Sequence, residues 1–524
     1  MPPRKGSSKV KTGCRTCKAR KIKCDEAKPN CRRCASTGRT CSGYDDSASS
    51  TLTWYRPRQL TAHDEQEGRA FQFFSRVVGP ALSGTMDGYF WTHLVLQFSH
   101  FTPAVRHAVV AISALYEDFQ NGSRIMRLRD GNLFALKHYN AAIRDVKSTQ
   151  DDQLILLMCI LFMCVECLQG DFEGSVRHSQ HGALILDKFG CLPWARNYLL
   201  PIFRRLAHSP FMMGAKLPPG PSLAGFDAAL PDRFETLAQA QILLDMIVTK
   251  VGRYESGHNE DSRESLELRL GEWRQRMADF ESSGQCSDIS SQLALVNIKA
   301  RCERAKMSLD MRQLITETDF DQNLEHFRSI VDLASRAAQL RSFLANDLLQ
   351  PVFTFEVGFL SVLFFVASKC RHLETRLKAL SLMPLACVAK ESLFDVGTLY
   401  RVARRIIEIE HGISLDDEKM SSTIQSHDTT IWPPESRRVK GAPIDHEIET
   451  ILGEDGTATY RRTVWFLMRK DNGEVVRKKE YLTDQWPRNS VLNVPDMRCA
   501  RPRGFGGGEA NKTLEIRFIS EYGD

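Results

Sequence analysis

The residues with the clearest chemistry are six cysteines in the stretch CRTCKARKIKCDEAKPNCRRCASTGRTC, which runs from Cys14 to Cys41. They fall as C-x2-C-x6-C-x6-C-x2-C-x6-C, so Cys14, Cys17 and Cys24 have the same internal spacing as Cys31, Cys34 and Cys41. Thiolate is a soft ligand, and structural zinc is held tetrahedrally by four sulfur or nitrogen donors. A single four-sulfur site would leave two thiolates idle, whereas two sites close if two of the six thiolates each touch both metals. The repeat therefore predicts two zinc ions. A disulfide framework is the competing reading, and paired C-x2-C units in a chain of cytosolic type point to metal instead.

The charge around these ligands is equally directed. Between Cys14 and Cys24 stand Arg15, Lys18, Arg20, Lys21 and Lys23, with no acidic residue. Residues 1–50 hold 13 Lys and Arg against 4 Asp and Glu, a net charge of +9, while the whole chain carries +6, so the remaining 474 residues sum to −3. Positive charge confined to one small segment is the footprint of a polyphosphate-binding module and not of a generally basic protein.

Spacing and basic run together resemble the fungal binuclear zinc cluster, the DNA-binding module of a large family of transcription regulators. The resemblance extends from Cys14 to Cys41 without a gap and includes a Lys-Pro-x-Cys turn at Lys28 to Cys31. It implies that Cys14 and Cys31 are the bridging ligands, with Cys17, Cys24, Cys34 and Cys41 completing the two sites. It also implies that a first short helix, Lys18 to Cys24, enters the major groove of double-stranded DNA. Alignment on the cysteines puts the base-reading lysine of those relatives, which read CGG-type triplets, at Lys21, with Arg20 beside it. Arg15, Lys18, Lys23, Arg32 and Arg33 are assigned to phosphates, which position without specifying sequence. The implied setting is the nucleus and RNA polymerase II transcription, with the transcription machinery or co-regulators as further partners. Basic groups at Arg4-Lys5 and Lys9 to Lys11 suit nuclear import as well as DNA.

A chain of 524 residues is too long for one compact core. Residues 12–44 read as the cluster, and the small polar stretch within 45–66 as a linker lacking any a/d heptad. Homodimerisation is left open, with no coiled coil evident. Residues 67–415 keep helical periodicity, seen at Phe71, Phe74, Val77 and Val78, from Pro103 through Leu115, and over Phe134 to Val146. Asp151 and Asp152 open an apolar helix over Leu154 to Leu168, whose uninterrupted apolar part is too short for a bilayer, as is Val357 to Ser368. No membrane partner is expected. The texture of Trp91–Leu115, Leu161–Leu186 and Phe353–Leu377 resembles the fungus-specific helical region that accompanies such clusters, implying an all-α regulatory domain broken by loops at Leu217–Pro231 and Glu255–Arg263. Residues 416–445 read as a second linker. Residues 446–524 read as a β-hairpin-containing segment, with strands at Thr459–Arg469 and Glu474–Thr483 around Asp471-Asn472-Gly473, and a partly disordered tail that can hold one more strand at Thr513–Ser520. The expected fold class is thus a zinc cluster module, a multi-helix central domain and a small β-rich end.

Other constellations carry less. Cys164 and Cys167 form another C-x2-C near Cys159, His178 and His181, but on a helix they read as core thiols and ordinary histidines. Gly504 to Gly508 lacks the Gly-Lys-Ser/Thr of a phosphate loop, and no nucleophile elbow, kinase set or dinucleotide fingerprint is present. Met1 to Lys11 lacks the apolar core of a signal peptide, so the sequons at Asn121 and Asn511 are expected to be silent. An enzyme tethered to nucleic acid by the cluster, and an adaptor binding protein or RNA, are the alternatives. The first lacks a convergent catalytic set, and A-form RNA closes its major groove to the basic helix of the second. The sequence reads as a non-catalytic, sequence-specific DNA-binding regulator.

Overall fold

The computed structural model describes residues 13–27, 30–43 and most of 65–483, with the longest gaps in the last range at 122–131, 209–222 and 416–431. The terminal basic groups, the Lys28-Pro29 turn, nearly all of the first linker, most of the Leu217–Pro231 loop and the tail after Thr483 lie outside the described residues. The chain divides into two units, residues 1–59 and 60–524.

In the smaller unit, two short helices start at cysteines. Cys14 caps α1 (Arg15–Ala19) and Cys31 caps α2 (Arg32–Ala35), both in extended backbone conformation. The helix expected over Lys18–Cys24 is thereby corrected to Arg15–Ala19. Its start is fixed by the Cys14 sulfur accepting the Cys17 N–H, and its end by a left-handed residue at Lys21, φ 56°.

The larger unit is mainly helical. Its first half comprises α3 (Glu65–Phe73), α4 (Gly79–Leu82), α5 (Val95–Ser99), α6 (Pro103–Gln120), α7 (Leu133–Lys147), α8 (Asp152–Gln169), α9 (Phe172–Phe189), α10 (Pro193–Tyr198) and α11 (Leu200–His208). Short π-helical segments at Phe74–Val78 and Phe90–Leu94 lead into α4 and α5. Then follow α12 (Leu237–Glu255), α13 (Arg263–Ser282), α14 (Ile289–Met311), α15 (Leu324–Leu344), α16 (Leu360–Lys369), α17 (Leu373–Ala386) and α18 (Val396–His411). The α12–α13 break falls at the expected Glu255–Arg263 loop.

Capping explains several boundaries. The Asp151 carboxylate accepts the N–H groups of Gln153 and Leu154, and Gly170 closes the helix in the left-handed conformation that lacks a Cβ penalty. α8 is longer than its apolar run, and by length and composition alone it could cross a membrane. It is instead a core helix, 72% buried within the protein, and packs with α6 around Trp91, Ile112 and Phe203. A second core joins α14 to α18, and a third lies among α12, α13 and the other side of α14.

Two small sheets complete the unit. Strands β1 (Phe353–Thr354), β2 (Lys390–Glu391) and β3 (Phe394–Asp395) form a sheet of two-residue strands, β1 parallel and β3 antiparallel to β2. The terminal sheet has β6 (Ala458–Arg469) at its centre, with β4 (Val439–Gly441) and β5 (Ile444–Leu452) along one edge and β7 (Val475–Thr483) along the other, all antiparallel to β6. The expected hairpin is the β6–β7 pair, closed where the Gly473 N–H donates to Lys470 O at 2.8 Å. The expected linker over 416–445 is corrected from Glu435 onward, because that stretch is held by side chains. The Glu435 carboxylate accepts the N–H groups of Glu317 and Thr318, and buried Arg438 forks onto Asp321 at 2.7 and 2.8 Å. Alternation along β6 turns Val464 and Phe466 inward, where they pack with Val402 and Ile406 of α18.

Candidate metal centre and nucleic-acid interface

The sequence repeat becomes a geometric repeat. In each half the first cysteine caps a helix, its Sγ accepts the N–H of the second cysteine at 3.4 or 3.3 Å, and the i, i+3 spacing puts both sulfurs on one helix face. The third cysteine of the first half, Cys24, accepts N–H groups of Cys14 and Glu26 at 3.4 Å each. Two four-sulfur groups result, Cys14/Cys17/Cys24/Cys31 and Cys14/Cys31/Cys34/Cys41, with all Sγ atoms within 4.8 Å of one another in each. Cys14 and Cys31 belong to both. Within these groups Cys14–Cys31, Cys17–Cys31 and Cys14–Cys34 Sγ distances are 3.6, 3.7 and 3.8 Å. A tetrahedron with zinc–sulfur bonds of about 2.3 Å has edges of roughly 3.8 Å, so the donor set fits zinc.

Electrostatics make the same demand. Burial pushes the Cys14 thiol up to about 12, and it also raises Cys17 and Cys31, so thiolates here need a cation to stay ionised. Cys41 at the edge goes the other way, lowered by the backbone N–H groups of Cys31 and Gly43. Among the described residues the buried side chains of the module are those of Cys14, Cys17, Cys24, Cys31 and Cys34, with Cys41 packed against them and no aliphatic side chain in the cluster. The two four-sulfur groups are, among the described residues, the only sets of three or more His, Cys, Asp or Glu side chains close enough to share an ion. Cys164 and Cys167 are buried in α8, where Cys167 meets the hydroxyls of Ser175 and Ser392.

Asp25 ties the halves together. Its carboxylate accepts the Arg32 and Arg33 N–H groups at 3.0 and 3.1 Å, satisfying the first turn of α2, and the Arg33 and then Arg32 amides hold its pKa below the usual range. Sequence reading missed this role, although an acid following Cys24 was visible. Asp25→Ala should release zinc to a chelator faster than wild type at neutral pH. The wild-type advantage should fade as pH falls through the lowered Asp25 pKa, and equal release rates at neutral pH would contradict the role.

The basic residues divide by position. Arg15 and Lys18 lie exposed on α1, and Arg32 and Arg33 are exposed on α2. Arg20, half-buried, donates from Nη1 to Thr37 Oγ1 at 3.3 Å and braces the two halves. Lys21 and Lys23 lie exposed beyond the helix end. Lys21 occupies the left-handed position of a Schellman closure, in which the Ile22 N–H donates to Cys17 O and the Lys21 N–H to Lys18 O. The corresponding residue of the second half is Gly38, φ 64°, where the Arg39 N–H donates to Cys34 O. A conformation that glycine adopts freely thus carries a lysine in the first half, at a cost of about 1–2 kcal/mol. Among the described residues of the module, Glu26, φ 59°, is the other non-glycine residue with this backbone.

Comparison with known proteins decides the family of this module. Residues 12–51 match the model of the fungal Zn(2)-Cys(6) binuclear cluster domain. This part of the chain is a Zn(2)-Cys(6) cluster domain. The domain binds two zinc ions, for which its cysteines are grouped. The chain is 33% identical over 223 residues to the aspercryptin biosynthesis cluster-specific transcription regulator atnN of Emericella nidulans, covering 35% of this chain and 36% of that protein. It is 35% identical over 96 residues to the transcriptional regulatory protein moc3 of Schizosaccharomyces pombe, covering 17% and 19% of the two chains. It is also 43% identical over 59 residues to the arginine metabolism regulation protein II of Saccharomyces cerevisiae, covering 11% and 6%. The chain spans about a third of the length of the first of these relatives and less of the others. No solved structure matches it.

Proposed function

We propose that the chain is a nuclear, sequence-specific transcription regulator of RNA polymerase II genes, whose Zn(2)-Cys(6) domain reads CGG-type triplets in duplex DNA. Cys14 and Cys31 bridge the two zinc ions, Cys17 and Cys24 complete one site, and Cys34 and Cys41 complete the other. The single observation that carries the DNA reading is the exposed, left-handed Lys21 at the end of α1, set where the second half has Gly38. There Lys21 can aim its ammonium at guanine O6 and N7 in the major groove. Arg15, Lys18, Lys23, Arg32 and Arg33 hold phosphates on either side, and Arg20 acts by position. The helical body regulates, docking on co-regulators or the transcription machinery, and it supplies no base contact. The relatives are named as regulators, two of them of transcription, and this supports a non-catalytic reading.

Lys21 gives the test. Lys21→Ala should cost about 1–3 kcal/mol on a CGG-containing duplex and little on a scrambled one. Lys21→Gly should lose the same discrimination while relieving about 1 kcal/mol of backbone strain, so that its zinc-loaded module resists denaturant at least as well as wild type. Lys18→Ala and Lys23→Ala should weaken both duplexes alike and reduce the salt slope by about one unit each. Equal losses on the two duplexes for Lys21→Ala would remove it from the base-reading role.

A further inference from the structure

The helical body holds a cavity of about 590 Å³ lined by α12, α14, α15 and the segment before α16. That volume is in the usual range for a small-molecule site. Its walls are mostly apolar, with Leu237, Leu293, Val357, Phe359 and Val388 contributing, and a few polar groups converge on it.

One of those groups is unsatisfied. Asn297 of α14 is 1% exposed and lines the cavity, yet its Oδ1 has no hydrogen-bond partner. A buried acceptor left without a donor is costly, and a ligand N–H or O–H would satisfy it once the amide turns toward the cavity.

The charges facing the cavity are unevenly occupied. Glu356 is held by buried Arg205 at 2.7 and 2.8 Å. Glu391 Oε2 already accepts the N–H groups of Gly358 and Leu360 at 3.0 Å each, and burial raises this carboxyl to about 7. Arg341, half-buried on α15, lies in electrostatic range of Glu391 but forms no ion pair among the described residues, and neither does Arg76 at the exposed side. The carboxylates thus have donors, while neither guanidinium group is in an ion pair among the described residues.

We propose that this cavity binds a small amphipathic organic anion, with an apolar body against the Leu293 and Phe359 walls, an N–H or O–H donor on Asn297 Oδ1 and its acidic group on Arg341. The site stands independently of how residues 12–51 contact DNA. An occupant would bridge α12, α14, α15 and the β1–β2 sheet, joining parts of the body that otherwise meet across a void.

A matched pair of fluorescent probes tests this on the full chain. 8-Anilinonaphthalene-1-sulfonate has an aromatic body, an N–H and an anionic group, and N-phenyl-1-naphthylamine has the same body and N–H without the sulfonate. The sulfonate probe should bind one saturable site per chain. Arg341→Gln should weaken it about tenfold and leave the neutral probe unchanged. Asn297→Leu should weaken both probes, and Ala294→Trp, which fills the cavity, should abolish both. Absence of a saturable site would overturn the proposal, and so would an Arg341→Gln variant that binds the sulfonate probe as wild type does. Arg341 is a half-buried side chain whose loss leaves the cores intact, so this variant decides the matter even if Ala294→Trp fails to fold.

Discussion

Chelating zinc from the full chain should unfold residues 13–43 and abolish specific DNA binding, while the helical body keeps its far-UV signal. The reason is the composition of the module's interior. Its buried side chains are cysteines among the described residues, so no hydrophobic core remains there when the metals leave, and a segment this short cannot bury enough area to hold itself together. Structural zinc supplies about 10–16 kcal/mol per ion in comparable small domains, which is the folding free energy. Helices of the body contribute no zinc ligand among the described residues, so nothing there should follow the metal. Sharing of Cys14 and Cys31 makes the ligands unequal. Cys14→Ala removes a donor from both four-sulfur groups and should lose both ions, whereas Cys17→Ala removes one from a single group and should leave one ion bound. Metal analysis of the purified variants checks this, and retention of one zinc by both variants would contradict bridging by Cys14.

Glu410→Ala should be the most damaging single change in the body, costing about 3–5 kcal/mol. Glu410 is 1% exposed at the end of α18, where Oε1 accepts from Arg371 at 3.1 Å and from the Val439 N–H at 2.6 Å, and Oε2 accepts from Arg376 at 2.5 Å. Both arginines are fully buried, and Arg371 also reaches Glu317. Burial opposes the Glu410 charge, but the Arg376 and Arg371 guanidinium groups outweigh it and hold the carboxyl below its ordinary value. A depressed carboxyl stabilises the fold above the unfolded-state pKa, and that contribution is lost as pH falls through the lowered value. Removing the carboxylate leaves two buried guanidinium groups short of a partner and frees the β4 amide. The urea midpoint should fall, and proteolysis should reach the terminal sheet first. A midpoint within about 1 kcal/mol of wild type would mean that the network does not tie β4 to α18.

Much of this was legible in the residues. Cysteine spacing pointed to the two four-sulfur groups, since i, i+3 thiols on a helix turn need no long-range contact to converge. Asp151 marked a helix start through local capping, and Gly473 marked the turn of the β6–β7 pair. The helix over Lys18–Cys24 was misplaced because a cysteine is not an ordinary N-cap. Cys14 becomes one when its sulfur is fixed, and the lysine at a glycine-type position then ends the helix at Arg20. β1, β2 and β3 were invisible, since strands of two residues have no period to detect. The pairing of Arg371, Arg376 and Glu410 was hidden as well, because it depends on tertiary placement. The Asn297 cavity was likewise hidden, as it joins residues from across the helical body.

The zinc-folded module of this chain is expected to read DNA sequence. Titrating the zinc-loaded full chain onto a CGG-containing duplex and onto a scrambled duplex of equal length, at physiological salt, tests it most directly. Binding to the CGG duplex should be tighter by at least about tenfold, and chelation should remove that difference. Equal affinity for the two duplexes, or a preference that survives removal of zinc, would contradict it.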